Sequence, residues 1–364
     1  MWPGPTLSVY LGRQYLAGAA LVLGVLLGLV LLIDLVELLR RAWVRDNIGV
    51  WLIIEMAILK LPVMAQKVLP FAMLFGGMLA FLRLTRTHQL VVARAAGVSV
   101  WQFLLPAIFI ALALGLFMVT VFNPLASATT SRYETLEAKF LHGRPSMLAV
   151  SSSGLWLRQA DEVGQSVIHA RRVSQEGVEL SDVIIFLYEG SDHFVGRIDA
   201  ARAVLQPGHW QLSQALITGP DKPAERHAEY TLRTSLTLGQ IQDSFAPPET
   251  MSFWDLPGFI ETLERAGFSA LRHRLHWHSL LSGPLLLFAM VLIAATFSLR
   301  LTRRGGTGLL VLGGSLAGFV LYFLSDVMLA LGLSGSLPVV LAAWAPAGIS
   351  TLLGLAMMFH LEDG

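Results

Sequence analysis

The chain contains no cysteine. That excludes disulfides, thiolate catalysis, iron–sulfur clusters and cysteine-based zinc sites. Charge is scarce as well. Only 14% of the 364 residues are Asp, Glu, Lys or Arg, against roughly 25% in a soluble domain. An ordinary cytosolic enzyme and a disordered chain are both excluded on that ground. Basic and acidic side chains nearly cancel, for a net charge of +1, so no global field draws in a polyanion and no nucleic-acid partner is expected. The sequence has neither GxxxxGK[ST] nor HExxH, so it offers no Walker phosphate cradle and no zincin metal site. No cofactor is expected on this chain; if ATP with its Mg powers the protein, the nucleotide site is on another chain.

Apolar length is what the sequence has in excess. Hydrophobic residues make up 54% of it and the mean hydropathy is +0.63. A helix that crosses a bilayer needs about 20 mainly apolar residues. Residues 15–33, 101–122, 279–299, 305–325 and 337–359 carry no charge and qualify. A sixth uncharged block, 68–82, is short. Its helix has to begin near 54–61 and carry Lys60 and Lys67 with it, with Pro62 and Pro70 making a bend plausible. The first block is too long for a secretory signal and is followed by residues 34–39 rather than a small-residue cleavage site. The spans fall three and three, around an intervening segment with a different composition.

This segment, 123–277, is rich in Ser, Gly, Asp, Glu and His and long enough for one domain. Its apolar residues alternate with period two in 156–158, 167–169, 183–188 and 231–238, and glycines at 154, 164, 177, 190, 208 and 219 punctuate it. The pattern predicts an antiparallel sandwich or jelly roll over about 148–244. After Pro247 and Pro248, residues 252–266 read as an amphipathic helix with Phe253, Leu256, Ile260 and Leu263 on one face, Ser252 as N-cap and Gly267 at its end. The fold class is therefore membrane α-helical with an inserted all-β domain, organised as 1–122, 123–277 and 278–364.

Loops 83–100 and 300–304 each carry three arginines and no acid. The positive-inside rule puts both in the cytoplasm, with both termini, and puts the large domain outside, in the periplasm of a bacterium.

Three groups of residues carry candidate chemistry. His273, His276 and His278 form a short cluster, but a metal site wants a further convergent ligand, and interfacial side chains at a helix start are the favoured reading. Gly332-Leu333-Ser334-Gly335 matches the GxSG of rhomboid-type proteases. The following span has no histidine until His360, some 30 Å away along a helix, so a turn is the favoured reading. Cations form the third group. Arg40, Arg41 and Arg45 follow span one, Lys60 and Lys67 start span two, and Arg132 and Lys139 follow span three. Cations at such depths are binding candidates by default, and lipid headgroup phosphates would satisfy them. The competing reading is local pairing with Asp34, Glu37 and Asp46. Separately, loop 83–100 reads as a short amphipathic helix, with Leu90, Val91, Arg94 and Ala95 spaced to share a face and Gly97 to end it. It fits either the inner leaflet or a cytoplasmic docking partner equally well.

Two stretches, VLPFAMLFGGMLAFLRLTRTHQLVVARAAGVS (68–99) and LYFLSDVMLALGLSGSLPVVLAAWAPAGI (321–349), together with the 3 + β + 3 layout, resemble the LptF/LptG (YjgP/YjgQ) permeases of the lipopolysaccharide-export ABC transporter. The second stretch is closer to the LptG side. The resemblance covers essentially the whole chain. It implies a non-catalytic inner-membrane subunit, paired with an LptF-like chain above a dimer of LptB-like ATPases that hold the ATP and Mg. It implies that residues 85–97, with His88, Gln89, Leu90, Val91 and Arg94, form the coupling helix. It implies a periplasmic β-jellyroll that joins those of LptC- and LptA-like proteins in a groove for acyl chains. It also implies that Arg40, Arg41 and Arg132 contact lipopolysaccharide phosphates near the outer leaflet, while Lys60 and Lys139 are lipid-binding candidates from their position alone. The chain departs from the family at Gln89, where the motif has Glu: a glutamine makes only a neutral bond to an ATPase arginine. A permease for another lipid or a lipoprotein, a membrane hydrolase and a static scaffold are the alternative readings.

Overall fold

A computed structural model describes residues 4–43, 49–142, 148–151, 154–160, 164–173, 179–189, 193–220, 222–234, 246–265, 268–299 and 307–363. They divide into two units, one of residues 1–141, 252–254 and 274–364 and one of 142–251 and 255–273.

The first unit is helical. Its elements are α1 (Pro5–Ala42), α2 (Val50–Arg86), the short α3 (Gln89–Ala95), α4 (Val100–Phe117), α5 (Asn123–Glu137), and, after the β unit, α7 (Leu271–Ser298), α8 (Thr307–Leu333) and α9 (Val339–Asp363). Among the described residues six helices are long and apolar enough to cross a membrane, with α4 and α5 counting as one from Val100 to Phe140. Lys60 and Lys67 do ride inside α2, together with Pro62 and Pro70.

Small residues set the closest approach. A Cβ on Gly76 would stand 2.4 Å from the Ala19 Cα, and one on Gly18 would stand 2.5 Å from the Gly76 carbonyl oxygen. The backbones of α1 and α2 therefore touch at this crossing, as small residues permit between membrane helices. Tyr15 locks the same crossing by donating its hydroxyl to the Met73 carbonyl at 3.1 Å and stacking on Phe81. Gly314 and Gly318 of α8 abut the side chains of Met78 and Leu74 of α2. Met73, Leu74, Leu104, Ala111, Val291, Leu292, Ala294 and Ala295 are fully buried in the resulting core.

The third span runs past its expected end at Phe122. A five-residue π-helical turn, Met118–Phe122, passes directly into α5, and a second such turn ends at His142. The second unit thus starts near residue 142 rather than at 123, and α7 starts at Leu271 rather than at 278. A charge-free run measures the hydrocarbon the chain crosses. It does not measure the helix, which continues through Ser, Thr and Arg. A π-turn leaves backbone carbonyls without their usual helical donors. Two are taken up here: the Trp254 indole donates to the Thr120 carbonyl at 3.1 Å and the Gln66 amide to that of Met118 at 3.4 Å. Beside them, Asn123 accepts the Phe253 amide at 2.7 Å.

The second unit holds a seven-stranded antiparallel sheet in sequential order: β1 (Leu148–Ser151), β2 (Gly154–Ala160), β3 (Gly164–Val173), β4 (Glu179–Glu189), β5 (His193–Gln206), β6 (His209–Gly219) and β7 (Lys222–Arg233). The inserted all-β domain is as expected. Among the described residues its pairing is an up-and-down meander in one sheet, without the return crossing between two sheets of a strict jelly roll. Short connections of two to five residues explain this, because each strand meets its sequence neighbour first. Gly208 at φ +83° makes one of the tight turns. Leu155, Ile168, Ile185, Ile198, Trp210 and Leu212 form the core face, closed by α6 (Leu256–Arg265) through Phe259, Ile260 and Leu263. This helix starts four residues later than the amphipathic pattern suggested: residues 253–255 form a turn, so Ser252 does not cap it. Gly267 and residues 235–245 lie outside the described residues, and with them the last part of the 231–238 strand reading.

Candidate lipid-binding and docking sites

The cations singled out after spans one and three share one end of a three-helix packing. There α1, α2 and α5 bury Leu38, Ala42, Ile53, Met56, Ala57 and Tyr133 against each other. At the rim of that cluster each arginine meets a carboxylate. Arg40 donates two bonds to Glu37, at 3.0 and 2.9 Å, and Arg41 donates to the same carboxylate at 2.8 Å and to Glu137 at 3.3 Å. Arg132 bridges to Glu55 at 2.8 Å. Lys60 reaches Asp34 at 2.8 Å and lies over the Tyr133 ring. Lys139 lies over the Phe140 ring.

Local pairing is therefore present. Arg40 and Arg41 together meet two carboxylates, Glu37 and Glu137, so their charge is balanced by bonds at the surface. The pairs sit at the surface, with the Arg40 side chain 76% exposed and that of Arg132 67% exposed. Exposed pairs of this kind are weak, and an incoming multivalent anion can displace the carboxylates. Asp34 pairs with Lys60 rather than with the arginines that follow it. Glu55 and Glu137 were not singled out from the sequence. Both are distant in sequence from the cations they meet, and only the packing of α2 and α5 brings them there. Arg45 and Asp46 lie outside the described residues.

The loop helix forms as α3, flanked by two left-handed residues. His88 at φ 59° precedes it and Gly97 at φ +84° follows it. Its end is a Schellman motif: Val98 N–H donates to the Ala93 carbonyl at 3.0 Å and Gly97 N–H to that of Arg94 at 2.9 Å. The next helix starts at once with a capping box between Ser99 and Gln102. The two breaks fix the direction of a seven-residue helix that is too short to be stable alone. It is shorter than the 85–97 expected, because Thr85 and Arg86 still belong to α2.

The exposed face of α3 also differs from the spacing argument. Leu90 is 1% exposed and belongs to the transmembrane core, whereas Val92 is 68% exposed. Leu90 therefore anchors the helix. His88, Val91, Val92, Arg94 and Ala95 are presented outward, and Gln89 is half-buried. Counting helical positions groups residues by face but does not say which face turns inward. That is why Val92 escaped notice.

The other motifs resolve as structure. Ser334 donates to the Leu331 carbonyl and shares a bond with Ser336, in a turn with Gly335 at φ +74°. His273 bonds the Ala246 carbonyl at 3.1 Å. Among the described residues no three His, Asp or Glu side chains are grouped to hold a metal.

The chain was compared with known proteins. The model of the family described as "Lipopolysaccharide export system permease LptF/LptG" matches residues 9–360. The chain belongs to the LptF/LptG family. It is 25% identical over 368 aligned positions to the Lipopolysaccharide export system permease protein LptG of Escherichia coli (strain K12), covering 99% of each. It is 24% identical over 361 positions to the protein of the same name from Haemophilus influenzae (strain ATCC 51907 / DSM 11121 / KW20 / Rd), covering 98% of each. These LptG-named relatives match the side of the family the sequence favoured. As an LptF/LptG chain with six apolar helices, this is a multi-pass membrane protein of the permease type.

Proposed function

We propose that this chain is the LptG-like permease subunit of an ABC transporter that extracts lipopolysaccharide from the outer leaflet of the bacterial inner membrane. The observation that carries the reading is the family match over nearly the entire chain, on an architecture of three spans, a β domain and three spans.

In this reading the β domain is periplasmic and the α3 loop cytoplasmic. Lipid enters beside α1 and meets the Arg40, Arg41, Lys60, Arg132 and Lys139 rim. Its phosphates replace the Glu37, Glu55 and Glu137 carboxylates as partners, since bidentate guanidinium–phosphate bonds are strong and directional. Its acyl chains lie on apolar helix faces. The β sheet then passes it on. Among the described residues β1 and β7 are the edges of the sheet, and sheet edges invite strand addition by LptC- and LptA-like domains. ATP is hydrolysed on an LptB-like dimer, with an LptF-like chain as the other permease half. This chain needs no cofactor of its own. Nucleotide-driven closure reaches it through α3 as differential binding to two conformations.

The test is affinity purification of the tagged chain from solubilised membranes, with mass spectrometry of bound proteins and lipids, followed by photo-cross-linking to lipopolysaccharide. Recovery of an ATPase, a second six-span chain and lipopolysaccharide is expected. Arg40→Glu with Arg41→Glu should lower the lipopolysaccharide cross-link roughly tenfold, since each reversed charge near a lipid surface counts for about 1 kcal/mol or more. An unchanged cross-link in that variant overturns the assignment of the rim. Recovery of a different lipid keeps the mechanism and changes the substrate.

A further inference from the structure

A second recess lies at the opposite ends of α1 and α2 from the cationic rim. It has a volume of about 860 Å³ and is lined by Gln14, Ala17 and Gly18 of α1, by Leu79, Leu82, Arg83 and Arg86 of α2, and by Gly308 and Val311 of α8. Volumes of roughly 300–1,000 Å³ are typical of ligand sites. The recess exists because Ala17, Gly18, Ala80 and Gly308 leave little side-chain bulk where the three helices converge. Leu21, Leu79, Leu82 and Val311 supply apolar walls.

Its charge is one-sided. Arg83 and Arg86 are spaced i, i+3 on the last turn of α2, so they share a face. Both are exposed. No acidic residue occurs in 1–33, 56–133 or 265–325. The nearest carboxylates on the lining helices are therefore Asp34 and Glu55, each many turns away, and Asp326, 15 residues beyond Val311. The rim at the other end is different, because there every arginine discussed has a carboxylate.

We infer that this recess binds one anionic diacyl phospholipid, with its phosphate on Arg83, Arg86 and the Gln14 amide and its chains along Leu21, Leu79, Leu82 and Val311. Two guanidiniums with no acid on the neighbouring turns of their lining helices call for an anion, and the apolar walls call for hydrocarbon. A free phosphate satisfies only the first. The leaflet is the cytoplasmic one, a point that rests on the orientation proposed above. The lipid would be a resident of the gap between α1 and α8 and distinct from the transported one.

The test uses the full chain with its co-purifying partners in nanodiscs that carry phosphatidylglycerol or phosphatidylcholine with a photoreactive acyl chain, followed by peptide mapping. Phosphatidylglycerol should label peptides spanning 14–21, 79–87 or 308–311 roughly tenfold more than phosphatidylcholine, and millimolar inorganic phosphate should not compete. Arg83→Gln with Arg86→Gln should abolish the preference, and Arg83→Lys with Arg86→Lys should retain most of it. Equal labelling by the two headgroups in the wild-type chain overturns the inference whether or not the glutamine variant folds. So does a cross-linked polypeptide in place of lipid at these positions, or full competition by free phosphate. Lipopolysaccharide capture at the Arg40 rim is read in the same preparation. Its loss with the headgroup preference intact would sink the transport reading alone, and the converse result would sink this site alone.

Discussion

A Cβ placed on Gly76 overlaps the Ala19 backbone, whereas one on Gly24 or Gly28 meets nothing within 4 Å. All three glycines lie in helices where Ala is the better helix former, so propensity alone favours each substitution. Packing decides otherwise at one of them. Gly76→Ala has to separate α1 from α2, strain the Tyr15–Met73 bond and loosen the core around Met73 and Leu74. Overpacking of this kind costs about 1–3 kcal/mol. The expected outcome is a lower melting temperature in detergent for Gly76→Ala and an unchanged or slightly raised one for Gly24→Ala. Equal melting of the two variants would mean that the α1–α2 crossing is not as close as described. The GxxxG spacing in the sequence directs attention to Gly24–Gly28 and Gly314–Gly318. The tightest contact, Gly18 against Gly76, lies on two different helices and has no spacing signature. The same holds for the rim, where the sequence shows the arginines but Glu55 and Glu137 meet them only through the fold.

The short helix α3 separates two jobs that one line of sequence runs together. Leu90 holds the helix to the transmembrane core, and Val92 offers a bare apolar side chain beside Arg94. Val92→Asp should therefore cut ATPase recovery roughly tenfold, about 1.4 kcal/mol of docking energy, while the chain stays folded. Leu90→Asp buries an unpaired charge and should lower the yield of folded protein instead. Undiminished ATPase recovery with Val92→Asp would exclude α3 as the docking element. Elements of this kind are legible in part. The Gly97 stop, the Ser99–Gln102 box and the charge-free spans are written locally, so the sequence shows them. The strands β5 and β6 are less so. Along β4, β5 and β6 the buried positions step by three at 180 to 183, 200 to 203 and 212 to 215. Asp182 and Gln214, both at positive φ, sit inside two of those steps. A reading by strict alternation loses its parity there.

At the scale of the whole molecule, the two acid-free arginine loops argue for the proposed sidedness, which hydropathy alone leaves open. The lack of cysteine makes this sidedness directly measurable, since any introduced thiol is the only one in the chain. Ala228 on β7 and Ala95 on α3 are both exposed and small, so a cysteine at either disturbs little. In cells with a permeabilised outer membrane, Ala228→Cys should react with a membrane-impermeant maleimide. Ala95→Cys should react only after the inner membrane is opened. The opposite pattern would invert the protein. It would place the Arg40 rim in the inner leaflet and the Arg83 recess in the outer one, and the roles assigned to the two cationic ends would have to be exchanged. Labelling of both in intact inner membranes would instead mean that α3 lines a water-filled path open to the outside. This is incompatible with docking a cytoplasmic ATPase there. Orientation thus decides between the two basic ends of α1 and α2. One has its charges neutralised by displaceable carboxylates and suits a lipid that must leave. The other has no acid on the neighbouring turns of its lining helices and suits one that stays.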